Sequence, residues 1–569
     1  MKMSSSSCTL LGTSAVTSRD RQGKVSSGTF HNRSHHLHVS VSLSSVNRTF
    51  RQGTRKVRLP LRTANDPTRF PSAVFASKDV GNTLGDEYFH EDPSERFHWT
   101  SAVSKAAVLD IALEQAVRIC RSQLPEGSAE PTLAIVWASS RFCTAYSAIL
   151  EKLKALVPSV ETIVGSSGFG VIGGAEGDGL SEGPLPPEEV ELVPAVSLTL
   201  AVLPGVEVTS FRVTPSTIPD ADAPPDRWAE LTGVPLPAPS QGEGEGAPNA
   251  DEDRPHFVLF IDPSFREVQE VLQGLDFAYP ESTKVGGLAS STSMQEQWCT
   301  FWSGEGQRGT CYGGMVGLAL RGNGLSMQSV VAQGCRQIGD ETLTITAGER
   351  NLVAEVQDGA GRTKTPLQAL QEMVAALSPE DQMLAQKTIM VALTQDSLKS
   401  PEELEAGDFL IRGLQGADPE RGLLAVGDSV KVGQRMRFMV RDRMGAMEDL
   451  KQHLQDYKRQ ELRNSFLGSE TRESPFGAVL FSCNGRGTGL FSQPNFDSRT
   501  FAEYIPVNVS GVFCNGEVGQ VGSSTYLHGF TAVFGIIMQH VRSFCRLSPS
   551  SSSVSAGRSQ GPKEGGLGT

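Results

Sequence analysis

The chain has 569 residues, 38% of them hydrophobic and 20% charged, which is room for roughly two to four domains and a core needing no covalent staples. Its longest apolar stretch, Gly529 to Val541, is too short to span a bilayer and is broken by Gln539-His540. The net charge of −13 is uneven: residues 1–70 hold twelve Lys/Arg and two acidic residues, the rest 39 basic and 62 acidic, and an acidic body excludes a general nucleic-acid binder.

The basic N-terminus carries thirteen serines in its first 50 residues and no apolar h-region. Serine-rich, arginine-bearing, acid-poor sequence has the composition of an organelle transit peptide, not a secretory signal. Val74-Phe75-Ala76 before Ser77 resembles a plastid processing site. Residues 1–76 are therefore expected to direct import into the chloroplast stroma; the alternative is a disordered tail on a cytoplasmic protein. His31, His35, His36 and His38 fall in this stretch and are not expected to bind metal.

Helical spacing of Leu109, Leu113, Val117 and Cys120 predicts an amphipathic helix over Ser101–Leu124, stopped by Pro125. Apolar strands at Thr132–Ala138 and Glu161–Ser166 flank a helix at Ala145–Leu156, and a glycine-rich turn leads to strands at Pro194–Leu203 and Val206–Val213. Residues 214–254, rich in Pro, Gly and Glu, read as an exposed disordered insertion. The unit then returns with a strand at His256–Ile261, a helix at Phe265–Leu275 and a strand at Lys284–Leu288. Further strands are expected at Gln297–Trp302, Gly313–Leu320 and Ser326–Ala332. It returns once more, modified, with a strand at Gly477–Ser482, a helix at Ser498–Tyr504 and strands at Ser510–Cys514 and Thr525–Ile537. Repetition of one supersecondary unit points to duplication. Hairpin strands beside β-α-β units make the sheets mixed, so the fold class is α+β, with helices flanking mixed sheets.

Two familiar motifs lack their context. Gly168-Phe-Gly170-Val-Ile-Gly173 follows a strand but opens no helix, so it reads as a glycine turn, not a dinucleotide site. Gly179-Leu-Ser181-Glu-Gly183 has neither strand before nor helix after it and is no nucleophile elbow. The nine cysteines are odd in number and never spaced C-x-x-C, which argues against a disulfide framework or structural zinc; no cofactor is expected.

The C-terminal strand ends carry the chemistry. Phe481-Ser-Cys483-Asn-Gly-Arg486-Gly ends one strand, Phe513-Cys514-Asn515-Gly516-Glu517 the next, and Tyr526-Leu-His528 opens a third. If these strands are neighbours, Cys483, Arg486, Asn515, Glu517 and His528 share one rim. Such a set suits a small polar ligand, with Arg486 on a carboxylate and Glu517 on an amine. It also suits a thiol-dependent hydrolase using Cys514 and His528, or the thiols are simply core residues.

The segments Val285-Gly-Gly-Leu-Ala-Ser290, Val331-Ala-Gln-Gly-Cys335-Arg-Gln-Ile-Gly339, Asp408-Phe-Leu-Ile-Arg412-Gly, Gly427–Phe438, Gly477–Gly487 and Gly511–Thr531 together resemble the FIST family. The resemblance implies a FIST N-like module over 97–325 and a FIST C-like module over 326–545, packed together, with a tail at 546–569. It implies a sensory protein in signal transduction that binds a small ligand such as an amino acid and acts through a protein partner; no catalytic residue is carried over. Some relatives hold an F-box for docking to a ubiquitin ligase; residues 1–100 show no such helical pattern, so a stand-alone sensor is expected, with a ligase adaptor as the alternative role.

Overall fold

One strand-helix-strand unit builds three sheets of the same topology in the computed structural model. The described residues are 96–542 except 177–182, 238–253, 305, 323, 396–402, 405 and 467–470; the expected leader, the tail and Ser181 lie outside them.

The first repeat runs through His98–Ser104, helix Leu109–Ser122, Leu133–Ser139, helix Ile149–Leu156, Thr162–Gly168, the hairpin Gly170–Gly174 and Pro187–Glu191, and Val196–Val202. The second uses Glu207–Val213, helix Pro225–Thr232, His256–Ile261, helix Val268–Ala278, Lys284–Leu288, the hairpin Thr300–Gly304 and Gln307–Cys311, and Met315–Arg321. The third uses Leu325–Gln333, helix Arg443–Phe466, Thr471–Cys483, helix Phe496–Tyr504, Asn508–Cys514, the hairpin Glu517–Val521 and Ser524–His528, and Thr531–Arg542. In each, the strands around the second helix pair in parallel and the others antiparallel. The α+β class with mixed sheets is thus borne out.

Each hairpin leaves its own sheet. The first repeat's hairpin extends the third sheet, the second's extends the first, and the third's extends the second. The exchange closes a ring of three. At its centre Trp137, Phe260 and Phe481, one from each repeat, meet in tilted and edge-to-face contacts with centroids 5.2, 5.4 and 6.4 Å apart. Beside each ring lies a glycine on the parallel neighbour strand. A Cβ on Gly165, Gly286 or Gly511 would stand 1.8, 2.3 or 2.0 Å from a carbonyl oxygen of Val136, Leu259 or Leu480, so the strand pair closes at this level only without a side chain.

Between the third repeat's first strand and its long helix, the chain inserts a β-barrel. Strands Leu343–Glu349, Leu352–Gln357, Leu423–Val426, Phe409–Asp418, Ile389–Thr394 and Arg435–Arg441 pair in that order, and the last also pairs with the first, closing the ring. Alternate residues such as Leu343, Ile345, Val391, Leu393, Met436, Phe438 and Val440 fill its core with helix residues Ala369 and Leu370.

Four expectations need correction. Gly170–Gly174, expected within a glycine turn, is a strand paired on both sides. Residues 98–104 form a strand and the helix starts only at Leu109. Tertiary pairing overrides the local pattern there: Ser101 donates its hydroxyl to Val509 O at 2.7 Å across two sheets. Residues 214–254 are not wholly irregular, because Pro225–Thr232 is a helix that buries Trp228 against the second repeat. The expected strand Thr525–Ile537 is two, broken at Phe530 with φ 67°.

Candidate functional site

The threefold repetition offers an internal comparison. Five residues beyond each central ring stand Phe142, Phe265 and Arg486. Three beyond each close-packed glycine stand Gly168, Ala289 and Cys514. The hairpin residues registered opposite the next strand position are Val171, Thr300 and Glu517. Two repeats carry small, apolar or hydroxyl residues at these places; the third carries an arginine, a thiol and a carboxylate, all fully buried.

Arg486 is held by a carboxylate that sequence reasoning missed. Its Nε and Nη2 donate to Asp497 Oδ2 and Oδ1 at 2.7 and 2.8 Å, a bidentate pair. Its Nη1 is buried with no acceptor among the described residues. Asp497 lies in the first turn of helix Phe496–Tyr504, where the macrodipole favours an anion. Next to it, Glu189 of the exchanged hairpin accepts the backbone N–H of Ser498 at 2.8 Å. Burial, then Asp497, raises the Glu189 carboxyl above its ordinary range.

Glu517 does not pair with Arg486. Its Oε2 accepts from Thr531 Oγ1 at 2.7 Å and Thr531 N at 3.2 Å, and Cys514 Sγ lies 3.5 Å from its Oε1. Burial pushes this carboxyl up to about 7. The Cys514 thiol is raised by burial and then by Glu517. Cys483, the register partner of Cys514, is pushed up to about 12 by burial, although the backbone of Gly485 and Phe530 bonds it. His528 is lowered to about 4 by burial and sits with Nε2 3.1 Å from Gly519 O. Asn515 is exposed and accepts Asn484 Nδ2 at 2.6 Å. Cys483, Arg486 and Glu517 thus share one polar cluster, whereas Asn515 lies on its outer surface. His528 is registered opposite Glu517 but bonds a carbonyl. The thiol-hydrolase arrangement is not formed: Cys514 contacts Ser482 O and Glu517, not His528.

A groove of about 700 Å³ opens beside this cluster, between the barrel and helix Arg443–Phe466, within the usual range for small-molecule sites. Its wall includes Cys335, Phe409, Arg437, Met439 and Asp449; none of the five residues above contributes to it. Arg437 stands 4.0 Å over the Phe409 ring and donates Nε to Thr342 Oγ1 at 2.8 Å. Asp449 accepts the backbone N–H of Gln333 at 2.6 Å, tying the helix to the wall. The alternation in Arg435-Met-Arg-Phe-Met-Val-Arg441 was the readable signal for this strand; nothing local announced that it faces a groove.

Glu517 makes stability depend on pH. A carboxyl whose folded pKa exceeds its unfolded value contributes stability that is full below the unfolded value and lost as pH rises through the folded one. For a shift from 4.5 to about 7 this is on the order of 3 kcal/mol. Glu517→Gln should therefore lose less stability than the parent between pH 5 and 8, read by urea denaturation at each pH. Parallel curves would show that Glu517 is ionised throughout. Buried His528 acts oppositely, losing stability as pH falls, and cancels in this comparison.

The chain matches the FIST N domain over residues 132–358 and the FIST C domain over 366–520. It is 32% identical over 283 residues to an uncharacterized protein of Mycobacterium tuberculosis strain H37Rv, covering 49% of this chain and 67% of that protein. An uncharacterized protein of Mycobacterium bovis is 35% identical over 227 residues, covering 40% of this chain and 53% of the relative. The chain belongs to the FIST family, whose domains commonly serve sensory roles in signal transduction. Among the described residues no helix is long and apolar enough to cross a membrane.

Proposed function

We propose that this protein is a sensor that binds a small metabolite, of the amino-acid class the family resemblance suggests, in the groove between barrel and third repeat. Its output passes to a protein partner. The observation that carries this reading is the groove itself: it adjoins the one repeat in which ionisable residues replace the small, apolar or hydroxyl residues of the other two. A barrel and a sheet meeting at a ligand can change their relative stability on binding, which is what a sensor needs.

A thermal-shift screen of amino acids and related metabolites, with recovery of the compound afterwards, tests it. A true ligand at about 100 times its Kd adds roughly 2.7 kcal/mol and is recovered unchanged. No shift with any metabolite, together with co-purification of ubiquitin-ligase subunits, would favour the adaptor role instead. We further propose that residues 1–76 direct plastid import. Residues 1–80 fused to a fluorescent reporter should accumulate in plastids with the leader removed near Ala76; cytosolic fluorescence of the uncut fusion would refute this.

A further inference from the structure

We propose that the groove takes a small organic dianion, its two carboxylates held by Arg437 and Arg441; the inference rests on the groove being the ligand site. Strand Arg435–Arg441 turns Met436, Phe438 and Val440 into the barrel core, so Arg437, Met439 and Arg441 face the junction with the third repeat. The other arginines around the junction are matched by carboxylates: Arg336 by Asp381 and Asp442, Arg412 by Asp428, Arg486 by Asp497.

Arg437 and Arg441 are not. Among the described residues Arg437 has the Thr342 hydroxyl at Nε and the Phe409 ring beneath Cζ; the Asp408 carboxylate acts on it electrostatically without forming an ion pair. Arg441 makes no hydrogen bond or ion pair among them, although burial depresses its pKa. The titratable groups that act on it electrostatically are the thiols of Cys483 and Cys335, held protonated by burial, and the cation of Arg486. Arg441 lies just outside the groove wall, to which its register partner Cys335 belongs. Gly485 makes room for it: a Cβ there would lie 2.7 Å from Nη2 and 3.0 Å from Cζ of Arg441.

Neither guanidinium is in contact with a carboxylate, although Asp408 acts on Arg437 from a distance and Asp449 places a negative charge on the groove wall. Asp449 is engaged by Gln333 and His453, and Glu448 and Lys451 on the helix wall offset each other. Two forked guanidinium groups partly withdrawn from water call for two planar anions. The two positions are four residues apart, roughly 13 Å along the strand. That span suits carboxylates separated by a short chain, and one carboxylate alone would leave an arginine unmatched.

The test uses the full chain, α,ω-dicarboxylates from malonate to suberate, and monocarboxylates of matched length at equal ionic strength. Calorimetric titration should show a diacid of optimal length binding at least about tenfold more tightly than its monoacid. Arg437→Gln and Arg441→Gln should each reduce that diacid to the monoacid level, with Arg441→Lys restoring part of the difference and apo melting unchanged. Diacids and monoacids binding alike, or no diacid binding at all, would overturn the proposal on the parent protein alone, whether or not the variants fold. Unchanged diacid affinity in Arg441→Gln would overturn it too. In each of those cases a neutral metabolite found in the broader screen, and lost on filling the groove with Ala392→Trp, would leave the sensor reading standing.

Discussion

Arg486→Met should lower the free energy of unfolding by about 3–5 kcal/mol, because it leaves a buried carboxylate without its cation. Asp497 is 0% exposed, and its two oxygens take the two guanidinium bonds at 2.7 and 2.8 Å. The loss should appear in urea denaturation as a lower midpoint at unchanged slope. Arg486→Met with Asp497→Leu should recover most of it, since replacing a whole buried pair by apolar residues is often neutral. The other repeats already carry Phe142 and Phe265, both buried, at the corresponding place. A single variant as stable as the parent would mean that Arg486 is not committed to Asp497. A double variant that folds well but loses ligand affinity would show that the pair shapes the groove beyond stabilising it.

Gly511→Ala should abolish folding of the three-sheet body, with an expected loss above about 4 kcal/mol. The added methyl would lie 2.0 Å from Leu480 O and 2.8 Å from its carbonyl carbon. Both atoms are backbone in the strand paired with Asn508–Cys514, so no side-chain rotation relieves the contact. Gly165 and Gly286 occupy the same place in the other sheets and should behave alike. Gly489, exposed in a short helix with nothing within 4 Å of its Cβ position, is the control; Gly489→Ala should be neutral or stabilising by up to about 1 kcal/mol. Soluble, cooperatively folding Gly511→Ala protein would contradict the close approach of these strands.

The sequence carried the repeating unit because strand, helix and strand each have a local signature. Val258, Leu259 and Phe260 lie in an unbroken apolar run, and Leu109, Leu113 and Val117 recur at helical spacing. The third occurrence was legible for the same reason. The cluster at Cys483, Arg486 and Glu517 was legible in part, since each sits beside a glycine turn at a strand end and such turns gather on one rim of a sheet. The membership of Asp497 and Glu189 was not. Asp497 reads as an ordinary helix-start residue, and Glu189, which the structure places in strand Pro187–Glu191, stands among acidic and proline residues 308 positions before it.

What the sequence determined by itself was therefore whatever depends on near neighbours: the mixed α+β class, the repeat, and the strand-end placement of the polar residues. Tertiary structure decided which sheet each hairpin joins, because the backbone donors of an edge strand accept any partner of suitable register. It also decided that Arg435–Arg441 closes a barrel and turns Arg437 toward a groove, since one alternating strand cannot say what lies on either of its faces. And it decided that Arg486 meets Asp497 and not Glu517: the choice between two carboxylates rests on a few ångströms of packing among residues far apart in the chain, for which no local pattern exists.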